Sequence, residues 1–181
     1  MRLCKTVVLV GMMGAGKTAV GKELARMLSV PFLDSDEEIV AAAAMSIGEI
    51  FERDGEAFFR AREAEVIARL LRGRPGVLSV GGGAFLNSAT RALISELGVS
   101  VWLKADLDLL WQRVRHKTTR PLLRTANPRA TLAELLDARA PEYAKADLVV
   151  EARPSYAVAD MAAAVLDALA TRPDVIEGGV G

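Results

Sequence analysis

The segment Gly11–Thr18 constrains the fold of this chain more than any other. It reads Gly-Met-Met-Gly-Ala-Gly-Lys-Thr and matches the pattern G-x-x-x-x-G-K-[ST] of phosphate-binding loops. The valine-rich run Thr6–Val10 before it predicts a buried strand, and apolar residues after it recur at helical spacing over Lys17–Leu28. The pattern therefore lies between a strand and a helix, the context it requires, and it predicts binding of nucleotide phosphates.

Apolar runs alternate with helical patterns along the chain. The predicted strands are Thr6–Val10, a short strand ending at Leu33, Gly76–Val80, Val99–Leu103 and Asp147–Glu151. The predicted helices are Lys17–Leu28, Glu56–Leu71, Ser88–Leu97, Asp106–Lys117, Thr131–Ala140 and Ser155–Ala170. This alternation predicts a three-layer α/β/α fold in which helices cover a central parallel sheet. We expect one domain over residues 1–171.

Two segments fall outside this alternation. Residues 117–129 contain prolines and arginines without apolar periodicity, which predicts a mobile lid. The glycine-rich residues 172–181 are predicted to be a disordered tail.

The composition excludes some classes of partner. The 181 residues carry 23 Lys plus Arg and 23 Asp plus Glu, so no overall field favours nucleic acid or an anionic membrane. The single cysteine, Cys4, and the lack of an apolar leader are typical of a cytoplasmic protein. We expect a monomer that binds neither nucleic acid nor membrane.

The chemistry of phosphate binding assigns roles within the loop. Gly14 and Gly16 let successive backbone N–H groups face phosphate oxygens at a helix N-terminus, so we expect ATP contacts from Gly14 through Ala15 to Ala19. Lys17 is predicted to reach the β and γ phosphates, and Thr18 offers a hydroxyl to Mg²⁺. The loop leaves open whether the protein is a kinase, a switch or a motor ATPase.

A pair of carboxylates follows the second predicted strand. Asp34 and Asp36 can both point into the crevice at the carboxyl edge of the sheet, where one can hold Mg²⁺ through water and the other can accept a proton. The pair could equally be a helix N-cap with a solvated neighbour.

Several segments, in order, resemble the shikimate kinase family over nearly the whole chain. Besides the loop, they are Leu33-Asp34-Ser35-Asp36, Phe59-Arg60 with Glu63, Gly81-Gly82-Gly83-Ala84, Arg120-Pro121-Leu122-Leu123 and Arg139-Ala140-Pro141-Glu142-Tyr143. The resemblance implies a P-loop fold like that of nucleoside monophosphate kinases. It also implies transfer of the γ-phosphate of ATP to the 3-hydroxyl of shikimate, in chorismate and aromatic amino-acid biosynthesis.

The resemblance implies roles at the acceptor end. Asp36 would bind the ring hydroxyls of shikimate and act as the catalytic base, while Asp34 would reach Mg²⁺ through water. Arg60 and Arg139 would bind the substrate carboxylate, to which guanidinium groups are matched in geometry. The turn Gly81-Gly82-Gly83 would supply backbone contacts to the substrate.

The resemblance also implies roles at the donor end. Arg120 would reach the transferring phosphate from the lid and act in catalysis together with Lys17. Arg113 corresponds to a position that packs on adenine, and Arg153 resembles an adenine-contacting segment.

A purely structural role for one of these residues and two other functions remain open. Arg60 could form a surface ion pair with Glu56 or Glu63. Another compact P-loop kinase, acting on gluconate or a nucleoside monophosphate, is an alternative activity, and a nucleotide-driven switch is an alternative from a different class.

Overall fold

A five-stranded parallel sheet forms the centre of the molecule. In this computed structural model, which describes residues 1–116 and 123–178, the strands are β1 (Arg2–Leu3), β2 (Thr6–Val10), β3 (Phe32–Asp34), β4 (Val77–Ser79), β5 (Gly98–Lys104), β6 (Leu148–Glu151) and β7 (Ile176–Glu177). The central sheet has the order β3-β4-β2-β5-β6, and all of its neighbours are parallel. Every residue of β2 is buried, as expected for a middle strand covered on both faces.

Helices connect the strands and pack on the sheet. They are α1 (Lys17–Leu28), α2 (Ser35–Ala43), α3 (Ile47–Leu71), α4 (Ser88–Leu97), α5 (Leu107–Val114), α6 (Pro128–Tyr143) and α7 (Val158–Leu169), with a short 3₁₀ turn at Ala84–Leu86. Helix α1 packs against α7 and β4, and α4 packs against β5 and α3. The predicted α/β class with a central parallel sheet is confirmed.

The sequence placed some helix boundaries incorrectly. Helix α2 was not among the predicted helices; it follows β3 directly. Helix α3 starts at Ile47, earlier than the predicted helix, but Gly55 interrupts it with φ 85° and ψ 171°, so its second part, Glu56–Leu71, is the predicted helix. Ser46 caps its first turn by accepting a hydrogen bond from the backbone of Glu49 at 3.1 Å.

The predicted lid overlaps the start of α6. Pro128 occupies the first turn of this helix and Asn127 caps it, so the last two residues of the predicted lid are helical. Residues 117–122, and with them Arg120, lie outside the described residues.

The prediction of a disordered tail is wrong for residues 172–178. Strand β7 pairs antiparallel with β1, and the Val175 side chain is fully buried. Asp174 accepts hydrogen bonds from Arg172 at 2.8 and 2.9 Å and from Lys5 at 3.2 Å. Strand β1 and Lys5 lie near the opposite end of the chain, which is why local composition did not indicate these contacts.

None of the helices in residues 1–116 and 123–178 combines the length and apolarity that a membrane span needs.

Candidate active site

A cavity of about 810 Å³ opens at the carboxyl edge of the sheet. Residues at or just after the carboxyl ends of β2, β3, β4 and β6 surround it, together with the start of α1. The predicted site residues that line it are Gly14, Ala15, Gly16, Lys17, Thr18, Ala19, Asp34, Asp36, Arg60, Gly81, Gly82, Gly83, Arg113 and Arg139. The fold thus brings together in one cavity residues as distant in the sequence as Gly14 and Arg139.

The phosphate-binding loop closes over the N-terminus of α1. Gly16 precedes the helix in the left-handed conformation, with φ 92° and ψ 18°, which favours glycine. Lys17 donates hydrogen bonds from its Nζ atom to the carbonyls of Gly11 at 2.6 Å and Met12 at 3.2 Å. The lysine therefore folds back along the loop, with its ammonium at the concave side where phosphates bind.

Arg113 on α5 lies against this loop. Its guanidinium donates a hydrogen bond to the carbonyl of Gly14 at 3.0 Å. A β-carbon on Gly14 would stand 2.7 Å from the side chain of Val114, so α5 also packs directly on the loop. Arg113 thus lines the donor end of the cavity and braces the loop.

Asp34 and Asp36 have different local functions. Asp34 is the N-cap of α2, because its Oδ1 atom accepts from the backbone N–H of Asp36 at 2.9 Å and of Glu37 at 3.2 Å. The capping interpretation left open by the sequence is therefore correct for Asp34. Asp36, one residue into the helix, places its carboxyl against Gly81 instead, where a β-carbon would stand 3.1 Å from Oδ1.

The environment of Asp36 favours a protonated carboxyl more than water does. Burial is the main cause of the raised pKa of Asp36, and the negative charge of Asp34 adds to it. Lys17 and Arg60 oppose the shift through their positive charges. A carboxyl tuned upward in pKa inside a cleft is a candidate general base.

Arg60 and Glu63 form a half-buried pair on α3. The Arg60 Nη1 atom donates to Glu63 Oε1 at 2.9 Å, and Arg60 Nε lies 3.7 Å from Glu56. The surface-pair interpretation is thus partly met, but Glu63 is only 3% exposed, so this partner belongs to the cavity wall. Burial raises the pKa of Glu63, although the Arg60 guanidinium opposes the shift.

Each glycine of the turn Gly81-Gly82-Gly83 faces a different charged side chain. A β-carbon on Gly81 would meet Asp36 and Glu63, one on Gly82 would stand 2.7 Å from Arg139 Nη1, and one on Gly83 would stand 2.6 Å from Arg60 Cζ. Only glycine lets these side chains approach the backbone so closely. The turn therefore gathers two carboxylates and two guanidinium groups at the acceptor end.

Tyr143 fixes this turn to α6. Its ring is fully buried, and its hydroxyl donates to the carbonyl of Gly82 at 2.6 Å. Burial raises the pKa of Tyr143. The sequence assigned no role to this tyrosine, although it closes the same motif segment that contains Arg139.

Arg153 is the one described residue of the predicted site that does not line the cavity. Its side chain is exposed, and its Cζ atom stacks 5.6 Å from the centre of the Tyr156 ring. Tyr156 itself lines the donor end, together with Ala152, Ala157, Val158 and Met161. These residues follow β6, and none of them was among the predicted site residues.

The oxygen atoms near the loop suit Mg²⁺, which prefers hydroxyl, carboxylate and phosphate oxygens and keeps several waters. The hydroxyl of Thr18 is exposed in the cavity next to Lys17. Both capping N–H groups bond to Oδ1 of Asp34, which leaves Oδ2 as the oxygen that can face a metal-bound water. The residues therefore fit the predicted metal.

The fold and this cavity define a P-loop kinase that acts on a small molecule. A family model described as shikimate kinase matches residues 13–170. The chain is 68% identical over 175 residues to a shikimate kinase of Ruegeria pomeroyi, covering 97% of this chain and 90% of that protein. It is also 68% identical to a shikimate kinase of Cereibacter sphaeroides, with 97% and 88% covered.

A solved structure agrees with these sequence matches. Shikimate kinase from Acinetobacter baumannii in complex with shikimate is 38% identical and superimposes with a TM-score of 0.86, covering 92% of this chain and 93% of that one. The chain belongs to the shikimate kinase family. This membership confirms the predicted enzyme class, an ATP-dependent phosphotransferase with an alcohol acceptor and Mg²⁺ as its metal.

Proposed function

We propose that this chain transfers the γ-phosphate of ATP to the 3-hydroxyl of shikimate, with the site residues in the roles described below. One observation carries the proposal: a phosphate-binding loop and a cluster of two carboxylates and two arginines line the same cavity. Phosphoryl transfer needs little more than a bound donor, a positioned hydroxyl and compensation of developing charge.

The donor end binds the triphosphate. The N–H groups from Gly14 to Ala19 surround the phosphates at the positive end of α1, and Lys17 leaves the carbonyls of Gly11 and Met12 to contact the β and γ phosphates. Exchange of two neutral acceptors for a phosphate strengthens each hydrogen bond of the ammonium.

Thr18 and Asp34 would hold Mg²⁺, Thr18 through its hydroxyl and Asp34 through a metal-bound water. The ion neutralises charge on the β and γ phosphates when it is bound. Asp34 stays oriented for this contact because it caps α2 at the same time.

The acceptor end binds the carboxylate of shikimate between Arg60 and Arg139. The two guanidinium groups lie over Gly83 and Gly82, so consecutive residues of one turn support them. Planar guanidinium forks match a carboxylate with two parallel hydrogen bonds.

Asp36 accepts the proton of the attacking hydroxyl. Its carboxyl lies between the loop and the glycine turn, and Lys17 and Arg60 both act on its charge. A raised pKa makes Asp36 a stronger base than an ordinary aspartate.

Arg120 supplies positive charge to the transferring phosphate from a lid that closes over the cavity. This part of the proposal rests on the sequence motif Arg120-Pro121-Leu122-Leu123, since residues 117–122 lie outside the described residues. Closure would exclude water and so limit wasteful hydrolysis of ATP.

Adenine packs between Arg113 and the wall formed by Tyr156 and Met161. Both sides of this slot line the donor end of the cavity. Arg153 supports the slot from outside through its stacking on Tyr156 rather than by contact with the base.

The chain acts as a cytoplasmic monomer without nucleic-acid or membrane partners. Its equal numbers of basic and acidic residues and its single cysteine support this part of the proposal. Sedimentation of the purified chain at several concentrations tests it, and a mass near twice 19.3 kDa would contradict the monomer.

An acceptor comparison tests the proposed function. ADP release is measured with shikimate, gluconate and AMP at equal concentration, with water as the blank. We expect release well above the blank with shikimate only. Release with gluconate or AMP but not with shikimate would overturn the proposal, and ATP binding without release from any acceptor would favour a switch.

A further inference from the structure

A hydrogen-bonded ion pair joins three elements behind the glycine turn. Arg91 on α4 donates from its Nη1 atom to the carbonyl of Phe85 at 2.8 Å, and the same atom lies 2.9 Å from Glu142 Oε2 on α6. The Arg91 side chain is only 15% exposed, so solvent screens this pair less than a surface pair. One guanidinium therefore ties the residues after the glycine turn to the end of α6.

Two consecutive residues of α6 hold the same turn. Tyr143 bonds to the carbonyl of Gly82, and Glu142 reaches the carbonyl of Phe85 through Arg91. Arg139 stands one helical turn earlier and lies over Gly82. The two attachments thus set the distance between Arg139 and the backbone on which it rests.

The end of α6 needs such external support. Pro141 lies inside the helix and has no N–H group, so the carbonyl of Asp137 lacks its usual partner four residues on. This missing bond falls between the turn that carries Arg139 and the turn that carries Glu142. Backbone hydrogen bonding alone therefore holds the two turns together less firmly than in an uninterrupted helix.

We propose that Arg91 and Glu142 are positioning residues for substrate binding, acting through the placement of Arg139 against the Gly81-Gly82-Gly83 turn. The inference rests on the proposed function, in which Arg139 binds the shikimate carboxylate. Neither residue lines the cavity, so both act on the substrate only through Arg139 and the turn.

Steady-state kinetics of position 142 variants test the proposal. Glu142→Ala removes the acceptor and is expected to raise the KM for shikimate about tenfold, a usual coupling for contacting residues, with the KM for ATP changed less than about twofold. Glu142→Gln keeps an oxygen acceptor and should recover most of the affinity. Such recovery separates positioning from a general loss of structure.

Lys145 provides the matched control. It donates to the same Glu142 Oε2 atom at 2.9 Å but has no contact with the glycine turn among the described hydrogen bonds. Lys145→Ala should therefore leave the KM for shikimate unchanged. Arg91→Met keeps the aliphatic stem of the arginine, and its effect should not add to that of Glu142→Ala, because either change breaks the same connection.

The possible outcomes separate clearly. A lower melting temperature of Glu142→Ala with an unchanged KM for shikimate would overturn the inference, as would an equal rise in the KM for ATP. If Arg91→Met does not fold, the position 142 variants decide alone. A wild-type chain that is inactive with shikimate would instead count against the proposed function itself.

Discussion

The guanidinium of Arg139 rests directly on the backbone of Gly82. A β-carbon on Gly82 would stand 2.7 Å from the Nη1 atom of Arg139, and the Tyr143 hydroxyl would be 3.4 Å away. Because the nearest atom is the end of a flexible side chain, the arginine rather than the fold would yield to a larger residue. The contact therefore predicts an effect on substrate binding more than on stability.

Gly82→Ala should raise the KM for shikimate about tenfold or more, since small displacements of a positioning group have large effects. The melting temperature should change little, because Gly82 does not occupy the left-handed region. Gly48→Ala is the control, as its nearest neighbour would be 4.0 Å away, at Ser46 Oγ. An unchanged KM in Gly82→Ala would remove Arg139 from the carboxylate site.

Arg139→Lys should raise the KM for shikimate about tenfold, the equivalent of 1.4 kcal/mol, because a point charge replaces a bidentate fork. The KM for ATP should stay the same. Arg129→Lys, on the same helix but paired with Asp108 at the surface, is the matched control. Equal KM values for Arg139→Lys and the wild type would place the carboxylate elsewhere.

Asp36→Asn should lower kcat by about 10² to 10⁴-fold while ATP binding survives, because an amide cannot accept the proton. Glu37→Gln changes the next, exposed residue of the same helix and should keep the activity. A kcat for Asp36→Asn within a few fold of wild type would exclude Asp36 as the base.

The same variant predicts a pH dependence of stability. A carboxyl whose pKa rises on folding holds its proton more tightly in the folded state. The folded state therefore loses stability as the pH rises from 3.8, the ordinary pKa of an aspartate, through the raised pKa of Asp36. Asp36→Asn cannot ionise and should be more stable than wild type near pH 7, by about 0.5–2 kcal/mol as is usual for relieved active-site strain.

Thermal melts at about pH 7.5 and 4.5 check this sign, because ionisation of Asp36 falls as the pH falls toward its pKa. The difference between variant and wild type should shrink at the lower pH. A difference that is larger at the lower pH would contradict the raised pKa.

Val175→Ala should lower the free energy of unfolding by about 1–3 kcal/mol, because Val175 is fully buried beneath the C-terminal strand. Val149→Ala removes a side chain that is 47% exposed and should cost much less. Denaturant melts of both variants provide the measurement. Equally small losses of unfolding free energy in the two variants would support the disordered tail that the sequence predicted.

Local patterns predicted the parts of this molecule that depend on local physics. The strand, loop and helix around Lys17 each have a sequence signal, and parallel strands necessarily bring Asp34 and Gly81 to one edge. The helical spacing of α4 predicted its bounds, Ser88–Leu97. The family resemblance, rather than spacing, supplied the roles of Arg60 and Arg139.

Contacts between distant side chains had no such signal. The hydrogen bond from Tyr143 to Gly82 joins residues 61 positions apart. The ion pair between Arg91 and Glu142 joins α4 to α6. Asp34 shows a different limit, because the sequence left open whether it caps a helix or faces the cavity. The position of α2 shows that Asp34 is the cap and that Asp36 is not. Arg153 was assigned to adenine from its position near the last helix, but its side chain turns outward onto Tyr156.

The central claim is direct transfer between the two ends of one cavity, and ³¹P NMR of the complete reaction tests it most directly. The purified chain is incubated with MgATP and shikimate, and each phosphorus species is followed with time. The account predicts that ADP and one phosphate monoester, on the 3-hydroxyl of shikimate, appear in equal amounts. Inorganic phosphate appearing in place of the monoester, at a rate independent of shikimate, would contradict it.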